Sequence, residues 1–140
     1  MYLLDTNILS EVRKRKPDPN VGSWFEAVPS NALYLSVVTV FEIELGIEKR
    51  RQDDPAFAEI LASWLEAVLG LYGERVLPIT TNITKRWGRM SARAGNKDLD
   101  LAIAATALEH DLIVVTRNVT HFDRTGVPIV NPFEAKARRR

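Results

Sequence analysis

Tyr2-Leu3-Leu4-Asp5-Thr6-Asn7 opens the chain, an apolar run stopped by an acid and two further polar residues. Residues 2–5 read as a short buried strand ended by a polar turn. The same pattern recurs in Leu33-Tyr34-Leu35-Ser36, in Val76 to Ile79, in Leu112 to Val115 and, more weakly, in Val127 to Val130 before Asn131-Pro132. Helical stretches alternate with these runs. Asn7 to Arg15 turns Ile8, Leu9 and Val12 inward and is broken by Pro17-Asp18-Pro19-Asn20. Val21 to Val28 places Trp24, Phe25 and Val28 at helical spacing. Val38 to Arg51 puts Val38, Phe41, Leu45 and Glu48 on one side, with Glu42 and Gly46 on an adjacent stripe. Asp53-Asp54-Pro55 caps a further helix to about Leu71, and Asn82 to Ala94 forms another. After the loop Gly95-Asn96-Lys97, Asp98 is the expected N-cap of a helix ending near His110. Strands that are continuously apolar belong to a sheet covered on both faces and mostly parallel. The expectation is an α/β fold with about five strands.

The chain has 140 residues, one domain's worth, with a basic tail at 136–140 read as a candidate disordered end. Without cysteine, thiolate metal sites, disulfides and cysteine nucleophiles are excluded, which fits a cytoplasmic protein. No apolar run approaches the ~20 residues of a membrane span, and the N-terminus carries no signal-peptide pattern, so no membrane role is expected. The net charge of +1 conceals three basic clusters: Arg13-Lys14-Arg15-Lys16, Lys49-Arg50-Arg51 and Arg138-Arg139-Arg140. Each on its own is an ordinary solvated helix end or tail; together they suit a polyanion partner.

The acids carry the chemistry. Asp5 closes the first strand, Glu42 follows the second, and Asp100 opens the small-residue helix Ile103-Ala104-Ala105-Thr106-Ala107. Each has a plain structural use: Asp5 as an N-cap, Glu42 as a surface residue, Asp100 as a first-turn acid beside the better-placed cap Asp98. Acids at strand ends and helix starts also meet in the crevice at the top of a parallel sheet. Close carboxylates there repel by roughly 4 kcal/mol per pair at an effective dielectric of 20. A hard cation such as Mg²⁺ or Mn²⁺ offsets that repulsion. Leu45-Gly46 suggests close helix packing, because an interior Gly costs ~1 kcal/mol and needs a reason. The lone histidines, His110 and His121, lack metal-ligand spacing and read as structural or surface residues. No phosphate-binding loop, dinucleotide glycine motif or nucleophile elbow is present.

In order, Leu3-Leu4-Asp5-Thr6-Asn7, Ser36 to Glu42 with Gly46, Asp100 to Ala107, Val115-Thr116-Arg117-Asn118 and Asn131-Pro132 resemble the PIN-domain family, and within it the VapC-type toxin nucleases. The resemblance spans essentially the whole chain. Each motif is weak alone; the set in register is specific. It implies a three-layer α/β/α fold and Mg²⁺- or Mn²⁺-dependent hydrolysis of RNA. It also implies a homodimer, or a heterotetramer or larger assembly, held inactive by a cognate antitoxin that alone contacts operator DNA. Carried over by position, Asp5, Glu42 and Asp100 are the first three catalytic acids and candidate metal ligands, directly or through water. The fourth position is Asn118, where many relatives have Asp; Asp98 and Asp123 are the candidates to compensate. Thr6, Asn7 and Thr116 are supporting groups that position the acids and water. Arg13, Lys14, Arg15, Lys16 and Arg117 are the candidate RNA contacts.

The expected reaction is in-line attack that expels the 3′-oxygen and leaves a 5′-phosphate. Two other readings compete. Asn118 motivates a catalytically weak or inert partner in an antitoxin-bound repressor. A haloacid-dehalogenase-like phosphohydrolase would need a second Asp two residues after Asp5, and Asn7 stands there.

Overall fold

The computed structural model describes residues 1–134; the expected tail at 136–140, with its arginine cluster, lies outside the described residues. Strands β1 (Tyr2–Leu4), β2 (Leu33–Ser36), β3 (Val76–Leu77), β4 (Ile113–Val115) and β5 (Ile129–Val130) form one parallel sheet in the order β3-β2-β1-β4-β5. Seven helices accompany them: α1 (Thr6–Arg13), α2 (Pro19–Ala27), α3 (Val37–Asp53), α4 (Pro55–Tyr72), α5 (Thr81–Ala94), α6 (Leu99–His110) and α7 (Val119–Phe122).

Alternation along the strands divides the core into two. Leu3 pairs with Tyr34 and Val114, and Leu3 and Val114 pack with Ile83, Met90 and the alanine row of α6. Leu4 and Val115 point to the opposite face, against Ile8, Leu9, Trp24, Ile43, Ile47 and Leu65. This is the expected helix–sheet–helix sandwich. Helix α6 is buried from Leu101 through Ala107, because alanine lets a helix lie close to the sheet.

Local chemistry starts and stops the helices. Asp18 accepts from the N–H groups of Asn20 and Val21 with Pro19 at the first helical position, and Asp54 with Pro55 does the same at α4 through Phe57 N–H. Thr80 caps α5, which ends at Gly95 with φ +76°, a left-handed conformation that costs glycine little.

Several expectations shift. The third and fifth strands are shorter than 76–79 and 127–130, since edge strands pair on one side only. Residues 119–122 form α7, a single turn not anticipated from sequence. In α3 the buried stripe is Val38, Thr39, Ile43 and Ile47, while Phe41 and Leu45 are 55% and 44% exposed. Gly46 is exposed, and a Cβ built there meets nothing within 4 Å, so close packing does not explain it. Asp98 holds the N-cap position of α6 without a side-chain cap bond.

One helical stretch, Pro55–Arg75, holds an 18-residue window of mean hydropathy 1.3 and passes for a span by length and composition only. Glu59 and Glu66 interrupt the apolar run, which hides it from a search for continuity. The helix buries Ala58, Leu65, Val68 and Tyr72 in the core, and Glu59 pairs with Arg51 of α3.

Candidate active site

Chain order builds the site. The chain runs outward from β1 through β2 to β3, then crosses to β4 on the other side of β1. Such a reversal opens a crevice at the carboxyl ends of the strands. Asp5 follows β1 there, and Thr116 follows β4.

Asp5 is 3% exposed, and both of its carboxylate oxygens are engaged. Oδ1 accepts from Thr6 N–H at 2.8 Å. Oδ2 accepts from Thr116 Oγ1 at 2.8 Å and from Asn7 Nδ2 at 3.2 Å. Burial nevertheless pushes the carboxyl up from 3.8 to about 6. The bonds from Thr116 and Thr6 pull it down, and the charges of Asp100 and Glu42 raise it further. Three acids therefore share one field, as the strand-end positions suggested.

Each neighbouring acid has its own partner. Glu42 in the second turn of α3 accepts from Thr6 Oγ1, and Thr39 Oγ1 lies 3.3 Å from that hydroxyl. Thr6 thus touches Asp5 through its backbone and Glu42 through its side chain. Asp100, in the first turn of α6, has Oδ2 2.8 Å from His121 Nδ1 in α7. With Glu42 and Asp100 so engaged, no ready three-ligand metal cage of His, Asp or Glu exists among the described residues.

The donor set fits a hard cation. It is all oxygen at its centre, and the charges of Asp100 and Glu42 lie near enough to add to what burial does to Asp5. Asp100 and Glu42 each commit one carboxylate oxygen to a protein partner, Oδ2 to His121 and Oε1 to Thr6, and keep the other for an ion or its water.

The remaining candidates scatter more. Asn7 bridges Asp5 to the Arg117 N–H, which lies 3.3 Å from its Oδ1. Thr116 Oγ1 also accepts from Asn118 N–H at 2.9 Å. The Asn118 side chain is exposed and makes no cap bond to α7. Asp98 lines a groove with Glu42 and Asp100, whereas Asp123 does not line it. Arg13 lies over the rings of Phe57 and Trp64, Lys14 pairs with Glu11, and Arg117 lies 4.3 Å over Phe133. Arg15 and Lys16 are exposed.

Two residues at the site were missed from sequence. His121 is not a bystander, since its ring holds Asp100; no spacing rule links residues 21 apart in sequence. Thr39 is fully buried, and the available signal was a lone hydroxyl in Val37-Val38-Thr39-Val40, one turn before Glu42.

Residues 2–128 match the PIN domain. The chain belongs to the PIN-domain family. It is 35% identical to VapC ribonuclease Y4jK of Sinorhizobium fredii, over 96% of this chain and 99% of that protein. It is also 35% identical to plasmid stability protein StbB of Pseudomonas syringae pv. tomato, over 96% and 100%. Among solved structures, FitAB bound to an IR36 DNA fragment superposes with TM-score 0.84 at 29% identity, over 99% of this PIN-domain chain and 100% of that one.

Proposed function

We propose that this chain is the toxin of a toxin–antitoxin pair and a metal-dependent endoribonuclease that hydrolyses RNA phosphodiester bonds. The observation that carries this reading is a buried carboxylate, Asp5, fixed at the sheet's switch point within the field of two further acids, Asp100 and Glu42. A neutral structural cap has no use for that arrangement. The names of the relatives, a VapC ribonuclease and a plasmid stability protein, support the class of activity and of system.

Asp5, Asp100 and Glu42 would hold Mg²⁺ or Mn²⁺, which when bound lowers the pKa of the attacking water and shields the phosphate charge. Thr6, Asn7 and Thr116 fix the Asp5 carboxylate by hydrogen bonds to both oxygens. His121 would orient Asp100 through Oδ2 and leave its other oxygen for the ion. Asn118 offers a neutral carbonyl oxygen at the margin of the site. In-line displacement then expels the 3′-oxygen and leaves a 5′-phosphate. A cognate antitoxin would cover the acidic groove and carry a homodimer of this chain to operator DNA, in a heterotetramer or larger assembly. The setting is the cytoplasm, where RNA and partner meet.

Asn118 favours one second reading, a catalytically weak partner acting mainly within the repressor complex, because the fourth acid is absent. RNA cleavage by purified, antitoxin-free protein decides between them, run in EDTA and then in Mg²⁺ or Mn²⁺ beside an Asp5→Asn/Asp100→Asn double variant. Metal-dependent cuts lost in the variant are expected. A folded protein that leaves tRNA, rRNA and mRNA intact in both metals favours the repressor partner.

A further inference from the structure

We propose that the groove between α5, α6 and α7 is a subsite for a single-stranded RNA nucleotide flanking the cut, with Arg93 and Arg124 on the phosphates and Asp98 reading the base edge. This rests on the nuclease reading above and adds where the substrate lies. The groove encloses about 580 Å³, within the roughly 300–1,000 Å³ of small-ligand sites. Glu42 and Asp100 form part of its lining, so it is continuous with the acidic centre.

Lys14, Arg51 and Arg86 are each tied to a glutamate. Arg93 and Arg124 line the groove with no ion pair among the described residues. Guanidinium groups free of carboxylates beside a cleavage centre are suited to the backbone phosphates of a bound strand. Single strands are also read by stacking unpaired bases on aromatic rings or guanidinium planes. No Phe, Tyr or Trp lines this groove, and the one imidazole there, His121, is held by Asp100. The base face would meet Met90, Ala94 and Leu101.

Asp98 supplies the discrimination. It stands at the N-cap of α6 yet makes no cap bond, and its backbone N–H goes to Asn96 Oδ1 at 2.9 Å. An acceptor-only carboxylate favours bases that present an exocyclic amino group, namely cytosine, adenine and guanine, over uracil, whose single N3–H lies between two carbonyl oxygens that repel it. The subsite therefore selects against uridine at one position beside the cut.

The test uses the full chain. Binding of a fluorescent single-stranded RNA pool is measured on the Asp5→Asn protein, and wild-type cleavage ends are sequenced from a randomised pool in Mg²⁺. Arg93→Ala and Arg124→Ala should each weaken binding and lower the salt slope of log affinity by about 0.7, the loss of one single-strand phosphate contact. Lys85→Ala removes the same charge from α5 outside the groove and should change neither. Asp98→Asn should reduce the discrimination against uridine about tenfold. If wild-type protein cuts RNA but these variants keep its salt slope and its base preference, the subsite is wrong and the nuclease stands. If wild-type protein does not cut, yet Asp5→Asn protein binds RNA through both arginines, the subsite stands and the nuclease reading falls. Undiminished RNA affinity in both arginine variants would leave the groove to a protein partner and overturn the proposal.

Discussion

Asp5 and Asp100 belong to one centre but are held in opposite ways. Asp5 is buried, closes a strand, and has three donors from three positions in the chain, Thr6, Asn7 and Thr116. Asp100 is half-buried on a helix start and has one partner, the exposed ring of His121. The first arrangement cannot move without breaking several bonds. The second can swing by losing one. A cation bound between them would meet one fixed wall and one adjustable wall, with the cost of preorganisation on Asp5. That cost is the unfavourable burial of a charge, visible in its raised pKa.

The largest test of the contrast is Asp5→Asn. Losing the fixed ligand should cut metal-dependent RNA cleavage by more than ~100-fold, exceeding the 10–100-fold typical of supporting partners. The melting temperature should stay close to wild type, because burying an amide avoids the charge cost. A variant that cleaves within a few-fold of wild type breaks the comparison at its root.

Acid–base behaviour is the next test. The folded Asp5 binds its proton more tightly than the unfolded chain does, about 6 against 3.8. Metal-free stability contributed by this group is therefore full below pH ~4 and lost as pH rises through 6. The loss is on the order of 3 kcal/mol for about two pH units. Mg²⁺ competes with that proton, so it should raise the melting temperature more at pH 8 than at pH 5. Equal metal-induced shifts at both values would remove Asp5 from the binding set.

Thr116→Val sharpens the picture of the fixed wall. It deletes the hydroxyl that holds Asp5 and also accepts from Asn118 N–H. Stability should fall by about 1–3 kcal/mol, the range for stranded buried hydrogen-bonding groups. Because that bond lowers the Asp5 pKa, the acidic limb of the cleavage profile should move to higher pH. A profile that does not move would assign Thr116 to packing alone.

The smallest effect is expected at the site's margin. Asn118→Asp adds a charge at an exposed position, worth about 1 kcal/mol against a divalent ion about 8 Å away in water. Calorimetric Mg²⁺ affinity should rise about fivefold, as that energy implies. No change would mean that position 118 lies too far from the ion to matter.

Much of this was legible in the linear chain because it is local. Continuous apolar runs gave strands β1, β2 and β4 to within a residue, and Asp54-Pro55 marked the start of α4, whereas α2 begins at Pro19, two residues before the expected Val21. Asp5, Asp100 and Glu42 stood out by their places at strand exits and helix starts. The burial of α3 was less legible. Phe41 and Leu45 look like core by hydropathy, but α3 turns Ile43 and Ile47 inward instead. Which stripe faces the sheet depends on packing against β2 and α4, not on the stripe's own composition. Gly46 has a hydropathy-neutral place on the outside and no structural explanation.

By itself, the sequence determined element type, the parallel α/β class and the positions of the acids, because each follows from periodicity, capping and turn chemistry within a few residues. Tertiary structure alone decided that Thr116 reaches Asp5 across 111 positions and that His121 holds Asp100. It also decided that Arg93 and Arg124 share a groove with the acids, whereas Arg13 and Arg117 lie over aromatic rings. The physical reason is that these partnerships depend on strand order. Placing β4 beside β1 reverses the sheet and brings distant segments together at its end, and no short-range pattern encodes that neighbour.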